Sequence, residues 1–426
     1  MTRFALSISL VSLLACSFAD PPIVGGGATS PAAGPSADGP SATGPLPDGG
    51  RIPERRADGG GAPPPACTHD APLATALVVT SIDVSAGGPQ GGPVILAARP
   101  GGAAAAWSSA SGKIHVTPLD AQAQRAGADV EIDGDTPFGL VATSNDYALL
   151  VTRRPDYQTF VKVSASGAPL ATTNLVGGGN HDTVGVEWFG DFARTGRLVA
   201  TPTGYAAYTG LHRRWPDGVG HQGDTLRMLS ASGTETGGGW GWGCSHSLDQ
   251  RLVSNGSDLA AVCLADCYPS KGIQFNWQGG LLSDEPTGNC AGDSNAELGG
   301  LVAAPAGGFW LTYVSGEGRA TPDIGLEHLS KDGTILDKKF LTGDAAKESN
   351  VHLAVLDGSR MLLAYESNGK TFVQRLDGAG ALLGTPEALS ARLDPASDFV
   401  TLPNGDVAWA WMEQKTLKIA RVRACV

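Results

Sequence analysis

Residues 301–313 read LVAAPAGGFWLTY: a short apolar run, a Pro-Ala-Gly-Gly break, then a second run of aromatic and aliphatic residues. Neither run is long enough for a stable helix, and the break supplies the chemistry of a tight turn, so the stretch reads as a β-hairpin. The same pattern occurs as ILAARPGGAAAAW (95–107), LVATSNDYALLV (140–151), LVATPTGYAAYT (198–209) and LVSNGSDLAAVC (252–263). It recurs again as LAVLDGSRMLLAY (353–365) and FVTLPNGDVAWAW (399–411). Successive starts are 45, 58, 54, 49, 52 and 46 residues apart. A third alternating segment follows each copy, among them IHVTPL (114–119), FVKVSASG (160–167), LRMLSASG (226–233), IQFNWQGG (273–280) and LEHLSKDG (326–333). FVQRLDGAG (372–380) and LKIARV (417–422) complete the set. Weaker fourth runs such as TILDKKFL (334–341) come after the turn.

Four antiparallel strands repeated at a spacing of this size are the pattern of a β-propeller, and seven copies predict seven blades. The last copy runs to Val426 without a fourth strand, while TALVVTSIDV at 75–84 is a strand to spare. Pairing the two closes the ring and removes an exposed edge. A pair of β-sandwich domains is the competing architecture, but it does not predict a strand missing at one end and spare at the other. The Gly-His…Trp-Asp pair, the kelch double glycine and a true Asp-box are missing; Ser330-Lys331-Asp332-Gly333-Thr334 lacks the residue between Asp and Gly. The resemblance is therefore to an architecture, and no characterised functional family is matched.

Composition agrees. Gly and Pro supply 88 of 426 residues, and charged residues only 17%, which excludes coiled coils and helical bundles. A net charge of −12 leaves no basic footprint for nucleic acid.

The first residues form an address. Arg3 precedes an uncharged stretch from Phe4 to Ala15 that is too short to span a bilayer. It ends Leu13-Leu14-Ala15-Cys16, which resembles the lipobox of bacterial lipoproteins. That resemblance implies a signal peptide over residues 1–15, cleavage before Cys16, lipidation of the Cys16 thiol and a membrane partner through that lipid. Ser17 at the next position favours outer-membrane retention under the enteric sorting rule; an ordinary signal peptide cut near Ala19 is the alternative. Residues 17–66 hold 11 Gly and 11 Pro without apolar periodicity. They read as a disordered tether with a reach of about 40 Å, leaving 67–426 as the propeller.

Setting Cys16 aside leaves six cysteines, as expected for three disulfides in an exported chain. Cys67 and Cys425 flank the two closing strands and are expected to pair. The register puts Cys244, Cys290, Cys263 and Cys267 on one face of the ring, with Cys263–Cys267 and Cys244–Cys290 the first choice among three pairings. A zinc site of these four is the weaker rival, because the spacing is not two CxxC pairs.

The longest connections fall on the same face: 176–196, 210–224 and 236–251. They carry Trp188, Trp215, Trp240 and Trp242, and His181, His212, His221 and His246. Loops of this length on a rigid scaffold are where binding and catalysis are usually placed. Indole rings stack on the apolar face of a sugar while residues such as Asp182, Asp224 and Asn295 read its hydroxyls; packing between blades is the competing role. The four histidines with Asp182 and Asp224 are candidate divalent-metal ligands, but no HxxxH or HExxH spacing supports them. Asp293-Ser-Asn295-Ala-Glu297 has alternating oxygen ligands like a calcium loop without its glycine. No GxSxG elbow, Walker A or strand-linked GxGxxG occurs, and no cofactor is implied. The expectation is a lipid-anchored module of the bacterial cell envelope that binds a polysaccharide or an envelope protein through residues 176–299. A hydrolase or lyase on the same face, metal-assisted in one version, and a purely structural envelope component are the alternatives.

Overall fold

The computed structural model describes residues 71–154, 156–190, 194–268, 271–275, 280–284, 296–343 and 345–424. Seven antiparallel sheets of four principal strands form a ring. From the innermost strand outward, the first blade is Ile95–Arg99, Gly102–Ser108, Lys113–Asp120 and Val130–Asp133. Each later blade repeats that order, and each innermost strand packs on the next, the seventh (Val400–Thr401) returning to the first. All seven hairpins read from the sequence are the inner two strands of a blade.

Alternation along those strands explains the ring. In Gly102–Ser108, Ala103, Ala105 and Trp107 join the core shared with the seventh blade, while Ala104 and Ala106 join the core shared with the second. Period-2 side chains on a strand buried on both faces thus divide between two neighbours. Seven such apolar clusters fill the seven gaps between blades. Small alanines in the inner strands let the blades approach, and every gap also holds at least one buried aromatic.

The closing strand is where the sequence places it. Leu77–Asp83 pairs antiparallel with Thr416–Val422, from Leu77 opposite Val422 to Asp83 opposite Thr416. Just before it, the Leu73 and Ala74 amides donate to the Glu387 carboxylate, and Arg375 donates to the Ala71 carbonyl, fastening the entering chain to the sixth blade. Cys67 and Cys425 lie outside the described residues, as does everything before residue 71.

The turn between the third and outermost strands recurs with the same hydrogen bonds. In SASG at 230–233, the Gly233 amide donates to the Ser230 carbonyl and the Ser230 amide to the Thr234 carbonyl. Gly233 has φ +83°, and a Cβ there would lie 2.7 Å from Phe160 of the preceding blade. The glycine therefore answers both a left-handed backbone and a close approach. Gly333 repeats this against Phe275, and Gly380 against Leu326 and Trp310.

One expectation fails. Cys263 and Cys267 do not pair: both lie on the strand Leu259–Tyr268, and four residues of extended chain hold their Cα atoms about 13 Å apart, beyond disulfide reach. Cys244 instead bonds Cys263, with Cα atoms 6.5 Å apart. Cys263 sits between Ala261 and Ala265 on the face turned to the third blade, where Cys244 enters the same core. The pairing of Cys244 with Cys290 falls with it. Cys290 and the Cys267 side chain lie outside the described part of the structure.

Candidate functional site

In each blade the connection to the next blade and the turn between second and third strands emerge on one side of the ring, because strand direction alternates. The third blade exaggerates that side. Its strands Gly204–Arg214 and Gly220–Ser230 pair over their full eleven residues. The innermost strand, Gly196–Thr201, pairs only as far as Thr209. Five residues therefore project as a flap, about 16 Å long at ordinary strand rise. Glu187–Trp188, from the long connection before the blade, adds a short third strand to it. Chain entry at Leu77 is beside Val422, on the opposite side of the ring.

Alternation gives the flap two differently furnished faces. On one, Trp188 is the cross-strand partner of His212, and Arg214 that of Gly220. The Trp188 indole stacks on His181 at 4.5 Å and His212 at 5.5 Å, and a Cβ on Gly220 would lie 2.9 Å from the ring. His181 Nε2 also lies 3.3 Å from Asp156 Oδ2. Trp188 is thus engaged by protein rings on this face.

On the other face, Arg213 is the cross-strand partner of His221 and Leu211 that of Gly223, and the Trp215 amide donates to the Val219 carbonyl just beyond them. Trp242, from the crossover to the fourth blade, lies over Gly223, where a Cβ would come within 2.7 Å of the indole. Trp215 stands edge to face with Trp242 at 5.4 Å and with His221 at 6.1 Å. The Arg213 guanidinium lies 5.9 Å from the Trp215 ring centre and 5.5 Å from that of Trp242. It bonds the Glu187 carboxylate and the Gly241 carbonyl, so it braces the wall. These rings bound an open cavity of about 520 Å³, lined by Trp215, Pro216, Asp217, His221, Trp242, Ser245 and His246. His221 Nε2 lies 2.8 Å from Asp217 Oδ2. The Asp217 carboxyl is held below the usual range by the Val219 amide first and by His221 second. His246 has φ +54°, uncommon for a residue with a Cβ, at the irregular start of the fourth blade.

Four of the residues singled out from the sequence therefore meet: Trp215, Trp242, His221 and His246. Others do not. Trp240 packs edge to face on Tyr208, away from the cavity. Asp224 is fully buried beneath the crossover and accepts from the Tyr208 hydroxyl at 2.7 Å and the Cys244 amide at 2.9 Å. Burial pushes its carboxyl up to about 7, against hydrogen bonds led by that of Tyr208. Asp182 is exposed in a turn, its amide donating to Asn180. Asn295 lies outside the described residues. The four histidines form no common ligand set; among the described residues, the one group with metal-ligand spacing is Asp224, Cys244 and Cys263, whose sulfurs are bonded to each other. Gly220 and Gly223, which seat the two indoles, and the bracing Arg213 were not singled out. GVGHQGD at 218–224 carries the signal, since its glycines sit at positions of opposite strand parity.

At the centre of the ring the innermost strands supply a second polar feature. Arg197 Nε lies 2.9 Å from Asp398, and Arg251 Nη1 lies 2.6 Å from Asp249. Arg251 also donates to the carbonyls of Gly299 and Leu298. Beside it, burial first and then the Arg251 charge hold the His352 imidazole down to about 3. This network fastens the third, fourth and fifth blades to the segment that enters the seventh.

The fold and this flap define the class: a seven-bladed β-propeller with an elaborated third blade. No family model matches the chain, and no curated protein matches it. Among solved structures it is similar to the Dos1 propeller, at 9% identity and a TM-score of 0.43, over 78% of each chain. It is likewise similar to the Myceliophteria thermophila Cps50 (Swd1) β-propeller domain, at 10% identity and 0.43, over 80% of this chain and 99% of that one. Prolyl oligopeptidase B from Galerina marginata matches at 14% and 0.38 over 75% of this chain, which spans 46% of that protein's length.

Proposed function

We propose that the protein is an extracytoplasmic binding module whose flap cavity takes a carbohydrate. The observation that carries this reading is the pair of indoles, Trp215 and Trp242, walling an open cavity with Asp217, His221, Ser245 and His246 at its polar edge. Indoles exclude water over the apolar face of a sugar, and a carboxylate, imidazoles and a hydroxyl read the hydroxyl groups around it. Pre-set walls lower the ordering cost of binding, and Arg213 with the two glycines supplies that order.

The same reading takes Cys16 as the lipidated residue of a bacterial outer-membrane lipoprotein. An envelope protein is the second occupant considered, since the flap projects far enough to be gripped on both faces. A glycan array probed with the whole chain and with its Trp215→Ala/Trp242→Ala variant tests the proposal. Glycan binding that the variant loses and a chelator leaves intact supports it. Silence across the array removes the carbohydrate and turns attention to an envelope protein. For the anchor, Cys16→Ala is expected to move the protein from the membrane fraction to the soluble one.

A further inference from the structure

Wall geometry and charge narrow the ligand beyond a carbohydrate in general, an inference that rests on the reading just given. A neutral sugar stacks best on one flat, open indole face. Here Trp242 stands at 84° to Trp215, and His221 at 81° to it, so the walls make a corner. Rings meeting at right angles present π density from more than one direction, which suits a compact cation. Arg213 already shows that both indoles accept a positive group at under 6 Å. It shares the Glu187 carboxylate with Arg227, whose second partner is Glu235, so two arginines and two carboxylates compensate one another within the wall. Among the described lining residues the one carboxylate is that of Asp217, with the Arg214 charge acting on it from outside the lining. The chain as a whole carries −12, and its field favours the same sign of ligand.

We infer that the cavity selects a carbohydrate bearing a protonated amine, the ammonium of a de-N-acetylated amino sugar, seated between Trp215, Trp242 and Asp217. Binding is non-covalent, with the sugar ring against an indole and the ammonium toward the carboxylate.

The test titrates the whole chain, followed by tryptophan fluorescence and calorimetry, with a glucosamine hexamer, its fully N-acetylated counterpart and a uronate oligomer of equal length. The expected result is a Kd for the amine form at least tenfold below that of the acetylated form, with no response to the uronate. Asp217→Asn is expected to shrink that preference below threefold. Equal or tighter binding of the acetylated or uronate oligomer overturns amine selectivity and leaves the carbohydrate reading standing. No binding of any oligomer removes both. Tight binding of the amine oligomer by the folded Trp215→Ala/Trp242→Ala variant also overturns the inference, by assigning it to the acidic surface at large.

Discussion

Asp224 shows how much one buried group constrains the site. Its carboxyl, shut from water under the crossover, ionises near 7, well above the 3.8 of an unfolded chain. Between those values the folded state holds a proton that the unfolded state has released, so stability falls as pH rises from about 4 to about 7. Asp224→Asn is expected to remove that part of the pH dependence, read as a flatter plot of melting temperature against pH. The Cys244–Cys263 bond pins the same crossover. Its 19-residue separation predicts a loss of about 3 kcal/mol in Cys263→Ser, read by denaturant unfolding with and without a thiol reductant. That cysteines would pair was legible, and the Cys244–Cys263 bond shows it for two of them, but which partner each takes was not. It depends on Cys263 lying mid-strand, with a side chain turned to the third blade, rather than at a loop. The flanking alternation Ala261-Val262-Cys263-Leu264-Ala265 carried that information, since strand neighbours point to opposite faces.

Single elements were the most legible level. Each hairpin announces itself by two β-rich runs around Gly, Asn or Asp, and neither step needs distant contacts. The turn glycines were legible as turns, while their second role, close contact with the preceding blade, required the ring. Gly233→Ala should therefore cost more than backbone strain alone, about 2 kcal/mol or above by thermal unfolding, because its Cβ meets Phe160. The flap was legible only as extra length. That Trp215 and Trp242 wall one cavity while Trp240 packs against Tyr208 follows from how the crossover wraps the hairpin, which spacing cannot encode. Gly223→Val is expected to displace Trp242, seen as a changed near-ultraviolet tryptophan signal with the far-ultraviolet spectrum intact.

For the whole molecule, closure by Leu77–Asp83 means that sequence-distant ends share one blade. Deleting residues 71–84 should open an unpaired edge on Thr416–Val422 and produce aggregation, visible by light scattering. Closure also sets where the strand ends fall: Leu77 lies beside Val422 on one side of the ring and the flap of the third blade projects on the other. Between them, the Arg197–Asp398 pair and the Arg251 bonds to the Gly299 and Leu298 carbonyls tie neighbouring blades together at the centre, so the flap stands on a fastened base. The cavity walled by Trp215 and Trp242 is the proposed carbohydrate site. Its most direct test is equilibrium binding of a glycan recognised by the whole chain, measured in parallel on the wild type and on Trp215→Ala/Trp242→Ala with matched melting temperatures. At least a hundredfold loss in the variant is the predicted result. Unchanged affinity in a folded variant would contradict it.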